Sequence, residues 1–256
     1  MRSFNAVIKK EIMEQYRSGR FFILVAVFVI LGLMNPLITK LTPWLMEQLA
    51  DQMAEEGFIL KNIRADASVS WGQFYKNIPM GLIAFLIMFC SVLTKEIQSG
   101  TMILTLTKGL RRSKVIISKL LIMAALWSAL FWMCYGITYG YNEYYWDNNV
   151  VYHIEIAALF WYIFGLMLIF SVMLFSTMSS SGSMVLGGVA LIFVICYVLS
   201  MFPVVKDYTP MKLIEAGAIL DGKAVVDDYI IPAASAGAFC LISLVLSICI
   251  FNKRKL

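Results

Sequence analysis

Charge is scarce in this sequence: Asp, Glu, Lys and Arg make up 14% of its 256 residues, against about 25% in a soluble domain. Hydrophobic residues make up 61%, and the mean hydropathy is +0.80. A soluble fold of this length cannot cover so much apolar side chain, which argues against a water-soluble helical protein. Histidine occurs once, as His153, among interfacial-type aromatics, where it reads as a belt residue. There is no H-E-x-x-H and no G-x-S-x-G, and the Ser179–Ser181 run has no His or Asp beside it. A membrane-embedded hydrolase is therefore a weak reading. The five cysteines (Cys90, Cys134, Cys196, Cys240 and Cys249) lie inside apolar runs without metal-ligand spacing, and they read as packing residues. Strand-like alternation over about 10 positions, the mark of a membrane barrel, is also missing.

What is there is a set of solid apolar runs. Phe21–Thr39, Ile78–Thr94 and Leu120–Thr138 carry no charge, and neither does the whole of 156–205. A bilayer core is about 30 Å thick and takes about 20 helical residues, so 156–205 must be crossed twice. Its one turn-like stretch, "STMSSSGSM" at 176–184, divides it. The expected fold is an all-α integral membrane protein in a single domain, 1–256. Its six spans are expected at about 21–39, 78–94, 115–138, 156–177, 184–202 and 230–251. The first run follows 20 charge-rich residues and is long for a signal core, so it reads as a retained helix.

Six spans place both ends of the chain on one side. The segments on that side (1–20, 95–119, 178–183, 252–256) hold 14 of the 21 Lys and Arg and three of the 16 Asp and Glu. Positive residues collect in the cytoplasm, so both termini are expected there. The net charge of +5 then reflects topology and does not point to nucleic acid. The apolar runs contain no ionisable group except Lys119, near the inner end of the third, where it is placed to snorkel. Ion-coupled transport is a weak reading for that reason. "GAILDGKA" at 217–224 begins like a phosphate loop, but Ala224 stands where a magnesium-binding hydroxyl is needed.

Between the spans three segments carry pattern. Residues 1–20 repeat Phe4, Ile8, Ile12 and Tyr16 at helical spacing, with cations elsewhere on the wheel, which predicts an amphipathic helix in the inner interface. Thr42-Pro43 predicts a new helix on the outer surface, ended by Gly57. Residues 203–229, with Pro203 and Pro210, are expected to be irregular and partly inserted. Small residues at Gly136/Gly140 and Ala233/Gly237 suit close helix approach.

The segment "EIQSGTMILTLTKGLRRSKVIISK", 96–119, is the most informative. Ile103, Leu104, Leu106 and Leu110 stand among Lys95, Lys108, Arg111, Arg112, Lys114 and Lys119. A short helix with apolar knobs and a basic rim suits docking of a soluble partner. Glu96, Gly100-Thr101, Leu104, Leu106, Arg111 or Arg112, and Lys119 resemble the coupling segment of ABC-2 type permeases, the membrane subunits of ABC exporters. "FNAVIKKEIMEQYRSGRFFIL" resembles the N-terminal helix of the same family. Many members have a proline near Lys108, where this chain has Thr107-Lys108.

The resemblance implies an ATPase-coupling surface made by Glu96, Gly100, Thr101, Leu104, Leu106, Lys108, Arg111 and Arg112. It implies a separate ABC ATPase subunit that binds ATP and Mg, so that this chain is non-catalytic and holds no cofactor. It also implies a second permease chain, identical or homologous, in the lipid of a bacterial plasma membrane, and a path lined by the second and fifth spans. Export of an amphipathic substrate, whether peptide, drug or lipid-like, is expected. A membrane scaffold or sensor that recruits a cytosolic protein through the same segment is the alternative.

Overall fold

The structure, a computed structural model, describes residues 2–55, 65–107 and 111–254; of 2–6, 49–55 and 104–106 it describes the backbone only. The regular elements among these residues are all helical. In chain order they are α1 (Arg2–Arg17), α2 (Arg20–Glu55), α3 (Ala67–Phe89), α4 (Thr94–Gln98), α5 (Thr101–Thr107), α6 (Arg112–Tyr145), α7 (Ile154–Met178), α8 (Gly182–Ser200), α9 (Pro203–Lys206) and α10 (Ile230–Lys253). Three 3-10 helices, Asn148–Val150, Pro210–Ile219 and Val226–Tyr229, fill the connections after α6 and α9. Six helices are long and apolar enough to cross a membrane: α2, α3, α6, α7, α8 and α10.

The helices run further than the uncharged stretches. α2 does not stop at Thr39 but continues through Pro36 and Pro43 to Glu55. Pro36 has no N–H to give to the Gly32 carbonyl four residues back. The Thr138 hydroxyl of α6 donates to that carbonyl instead, at 3.1 Å, so the helix survives its proline. Thr42 does not cap a new helix either: its hydroxyl turns back to the Ile38 carbonyl at 2.7 Å. Gly57, the expected end of that helix, lies outside the described residues.

α3 starts well before residue 78, capped by Asp66, whose carboxylate accepts the Val69 N–H at 2.9 Å. Lys76 ended the uncharged run, but its side chain is exposed on the helix surface and does not interrupt the backbone. The 34 residues of α6 span about 51 Å at 1.5 Å each, roughly 20 Å more than a bilayer core. The break within 156–205 falls at the expected serines: α7 ends at Met178, and Ser181 caps α8.

α7 is the central helix, with 61% of its most apolar stretch buried, whereas α8 has 11%. An aromatic column joins α3 and α6 through Trp71, Phe74, Phe131, Trp127 and Phe85, with edge-on contacts such as Phe74–Phe131 at 6.0 Å and Phe85–Trp127 at 5.7 Å. Gly165 of α7 lets Trp127 approach the backbone closely, since a Cβ there would sit 2.3 Å from the ring. Nearby, Asn35 donates to Thr138 at 3.0 Å and accepts from Asn77 at 2.8 Å, which ties α2, α3 and α6 together. Residues 203–229 fold as short helices that bury Leu213, Ala216 and Ile219. In the loop-like match Lys223 pairs with Asp221 at 2.6 Å, so the lysine is engaged within its own turn.

Candidate functional site

One end of the bundle gathers α1, α4, α5, the start of α6 and the α7–α8 turn. The sequence makes α1 amphipathic in an unexpected sense. Val7, Glu11 and Gln15, spaced by four, form its buried face, while Ile12 and Tyr16 of the apolar stripe are exposed and Ile8 is half-buried. The side chain of Phe4 lies among those not described. The polar stripe therefore faces the protein, and the apolar stripe faces outward.

That polar stripe meets Lys119. The Lys119 side chain is fully buried, and its Nζ lies 2.9 Å from both Glu11 carboxylate oxygens and 3.1 Å from Glu96 Oε2. Lys10 reaches the other oxygen of Glu96 at 2.9 Å. Lys119 thus does not snorkel; it closes a neutral cluster of two cations and two carboxylates drawn from α1, α4 and α6. An apolar end of a bundle can hold a buried cation only with this kind of pairing.

Burial pushes the Glu11 carboxyl up from its ordinary value, against the pull of the adjacent Lys119 charge and hydrogen bond. Partial burial opposes the charge on Lys10, but its hydrogen bond to Glu96 and that carboxylate's charge outweigh this and raise it. Glu14 lies close enough to Glu11 and Glu96 for the three to ligate a cation. Lys119 already stands between Glu11 and Glu96 and takes that role.

The residues expected to contact a partner divide between two sites. Glu96 is buried in the cluster. Gly100 takes φ +71, the left-handed turn that separates α4 from α5 and favours glycine. Thr101, Ile103 and Thr107 are exposed along α5, and Met102 between them is fully buried and anchors it. The side chains of Leu104 and Leu106 lie among those not described, and Lys108 and Leu110 lie outside the described residues. Arg111 is exposed and caps α6 in extended conformation. Arg112 turns away to the end of α10, where it donates to the carbonyls of Phe251 (3.0 Å) and Asn252 (3.2 Å).

The geometry is that of a short two-helix foot, fixed by ion pairs and a buried methionine, with two threonines, an isoleucine and an arginine exposed. A family model described as "ABC-2 family transporter protein" matches residues 5–256. The chain belongs to the ABC-2 transporter family. No curated protein and no solved structure matches it. As an ABC-2 family member with six apolar helices, it is a multi-pass membrane protein of the permease type, a kind of subunit that generally works with a separate ABC ATPase.

Sequence reasoning about this ABC-2 chain singled out the foot but not what fastens it. Lys119 stands in the coupling-segment pattern, but its pairing with Glu11, and that of Lys10 with Glu96, does not, and only the spacing of Glu11 from Val7 and Gln15 hints at an inward polar stripe. Arg254, described below, carries no sequence signal of its own.

Proposed function

We propose that the chain is the membrane-spanning permease subunit of an ATP-driven exporter, and that α4, α5 and Arg111 form the seat of a cytoplasmic ATPase subunit. The observation that carries the reading is the Lys119 cluster. A seat can pass force to membrane helices only if it is rigidly joined to them, and Glu96 joins α4 to both α1 and α6 through Lys119 and Lys10. The faces of Thr101, Ile103, Thr107 and Arg111 are left outward. Leu104, Leu106 and Lys108 belong to the same proposed surface by sequence, whereas Glu96, Gly100 and Arg112 hold its shape.

On this reading the seat and both termini lie in the cytoplasm, in accord with the excess of Lys and Arg on those segments. ATP and Mg belong to the partner. A second permease chain, identical or related, faces this one in a bacterial plasma membrane. An apolar cavity of about 480 Å³ between α3, α7 and α8, lined by Leu82, Leu86, Leu168, Val189 and Phe193 among others, supports a path for an amphipathic substrate beside the second and fifth spans.

The test is purification of the tagged chain from its native membranes in mild detergent. An ATPase with its own phosphate loop is expected to come with it. Reversing the exposed charge, Arg111→Glu, is expected to weaken that association about tenfold at unchanged membrane abundance. Recovery of only a non-hydrolysing cytosolic protein would favour a scaffold and overturn the transporter reading.

A further inference from the structure

Both ends of the foot converge on one place, the turn between α7 and α8. From the α4 side, Gln98 Nε2 donates to the Ser180 carbonyl at 2.7 Å. From the α6 side the link passes through the end of α10. Arg112 donates to the carbonyls of Phe251, Asn252 and Arg254, with its guanidinium 5.9 Å over the Phe251 ring. Arg254 in turn donates to the carbonyls of Ser176 (3.4 Å), Thr177 (2.8 Å) and Ser179 (3.0 Å). Those are the unpaired carbonyls at the C-terminal end of α7, where the helix dipole also favours a cation. The turn that follows is only Ser179–Ser181, and Ser181 already caps α8.

We infer that the α7–α8 turn is a second output of the foot and that Arg254 is the residue positioning it, so that movement of α4–α5 is delivered to α8 as well as to α3 and α6. This rests on the coupling reading above. α8 is the least buried of the six spans, with 11% of its most apolar stretch covered against 61% for α7. Few contacts within the chain oppose its displacement. Arg254 holds the end of α7 and Ser179, Gln98 holds Ser180 just ahead of α8, and neither contact requires a charge partner that salt or a mobile side chain could take away. A helix held at one end and packed along one face, through Val185, Val189 and Phe193, responds to a pull at that end as a rigid body.

The experiment is hydrogen–deuterium exchange on the full complex in lipid discs, compared before and after trapping with ATP and vanadate. In the wild type, peptides covering 96–107 and 176–183 are expected to change together. In Gln98→Ala with Arg254→Ala the change at 96–107 is expected to persist, while that at 176–183 falls about threefold or more, the scale of a broken coupling link. Arg254→Lys, which keeps a donor for one carbonyl, is expected to restore part of it.

If the double variant fails to accumulate, Gln98→Ala alone leaves the α7 end capped and is expected to lose about half of the response. An undiminished response at 176–183 in the variants, or none there in the wild type while 96–107 responds, overturns the inference and leaves the coupling reading standing. Silence at both segments in the wild type, or failure of any ATPase to co-purify, overturns the coupling reading and this inference with it.

Discussion

Lys119 has its full side chain inside the protein and depends on two carboxylates from distant parts of the chain. Removing the cation leaves Glu11 and Glu96 facing each other without water, a cost of about 3–5 kcal/mol for a broken buried pair. Lys119→Met is therefore expected to reduce the folded protein in membranes severely, measured by detergent-solubilised yield and melting. Adding Glu11→Gln to that variant is expected to recover part of the loss, because Lys10 still neutralises Glu96. Little in the sequence announces this cluster. Lys119 looks like a residue that reaches for water, since a lone cation at the edge of an apolar run has that option in the absence of partners. Glu96 stands in the same patterned segment as Lys119, but Glu11 comes from a sequence separation that no local pattern records. Gly100 is more legible: φ +71 with open space around it means that Gly100→Ala costs about 1 kcal/mol of backbone strain rather than a clash. That variant is expected to keep its abundance and to alter the exchange of α5.

At the level of the helices, hydropathy located all six spans, because a bilayer demands long uninterrupted apolar surface and the chain supplies it. It missed where they end. A charged or aromatic residue stops a hydropathy run but not a helix, and so α3 begins before Lys76 and α6 continues through its tyrosines to Tyr145. The proline in α2 was similarly opaque, since its consequence depends on whether another helix offers a donor. Thr138→Val removes that donor from the Gly32 carbonyl and an acceptor from Asn35. It is expected to cost about 1–3 kcal/mol, as buried groups left unpaired do, with Thr138→Ser close to neutral. Thermal unfolding in detergent would separate the two. Gly165→Ala is a purely steric case: the new methyl would lie 2.3 Å from the Trp127 ring. An expected loss of about 1–3 kcal/mol for overpacking should appear together with altered tryptophan fluorescence.

For the whole molecule, the family match spans residues 5–256, so the foot, the ion cluster and the six helices belong to one transporter-type unit. The foot itself could be read from its charge and its apolar knobs. Its fastening to α1, α7 and α10 could not, because those contacts are made by backbone carbonyls and by side chains scattered from Lys10 to Arg254. The Lys119 cluster also bears on how the protein is made. Glu11 leaves the ribosome well before Lys119, so it waits in the nascent chain for a counter-ion that arrives only with α6, whereas Glu96 can already meet Lys10. Docking of α1 onto the bundle is therefore expected to follow synthesis of α6. In pulse–chase labelling, nascent chains arrested ahead of residue 119 should be destroyed by quality-control proteases markedly faster than chains arrested just beyond α6.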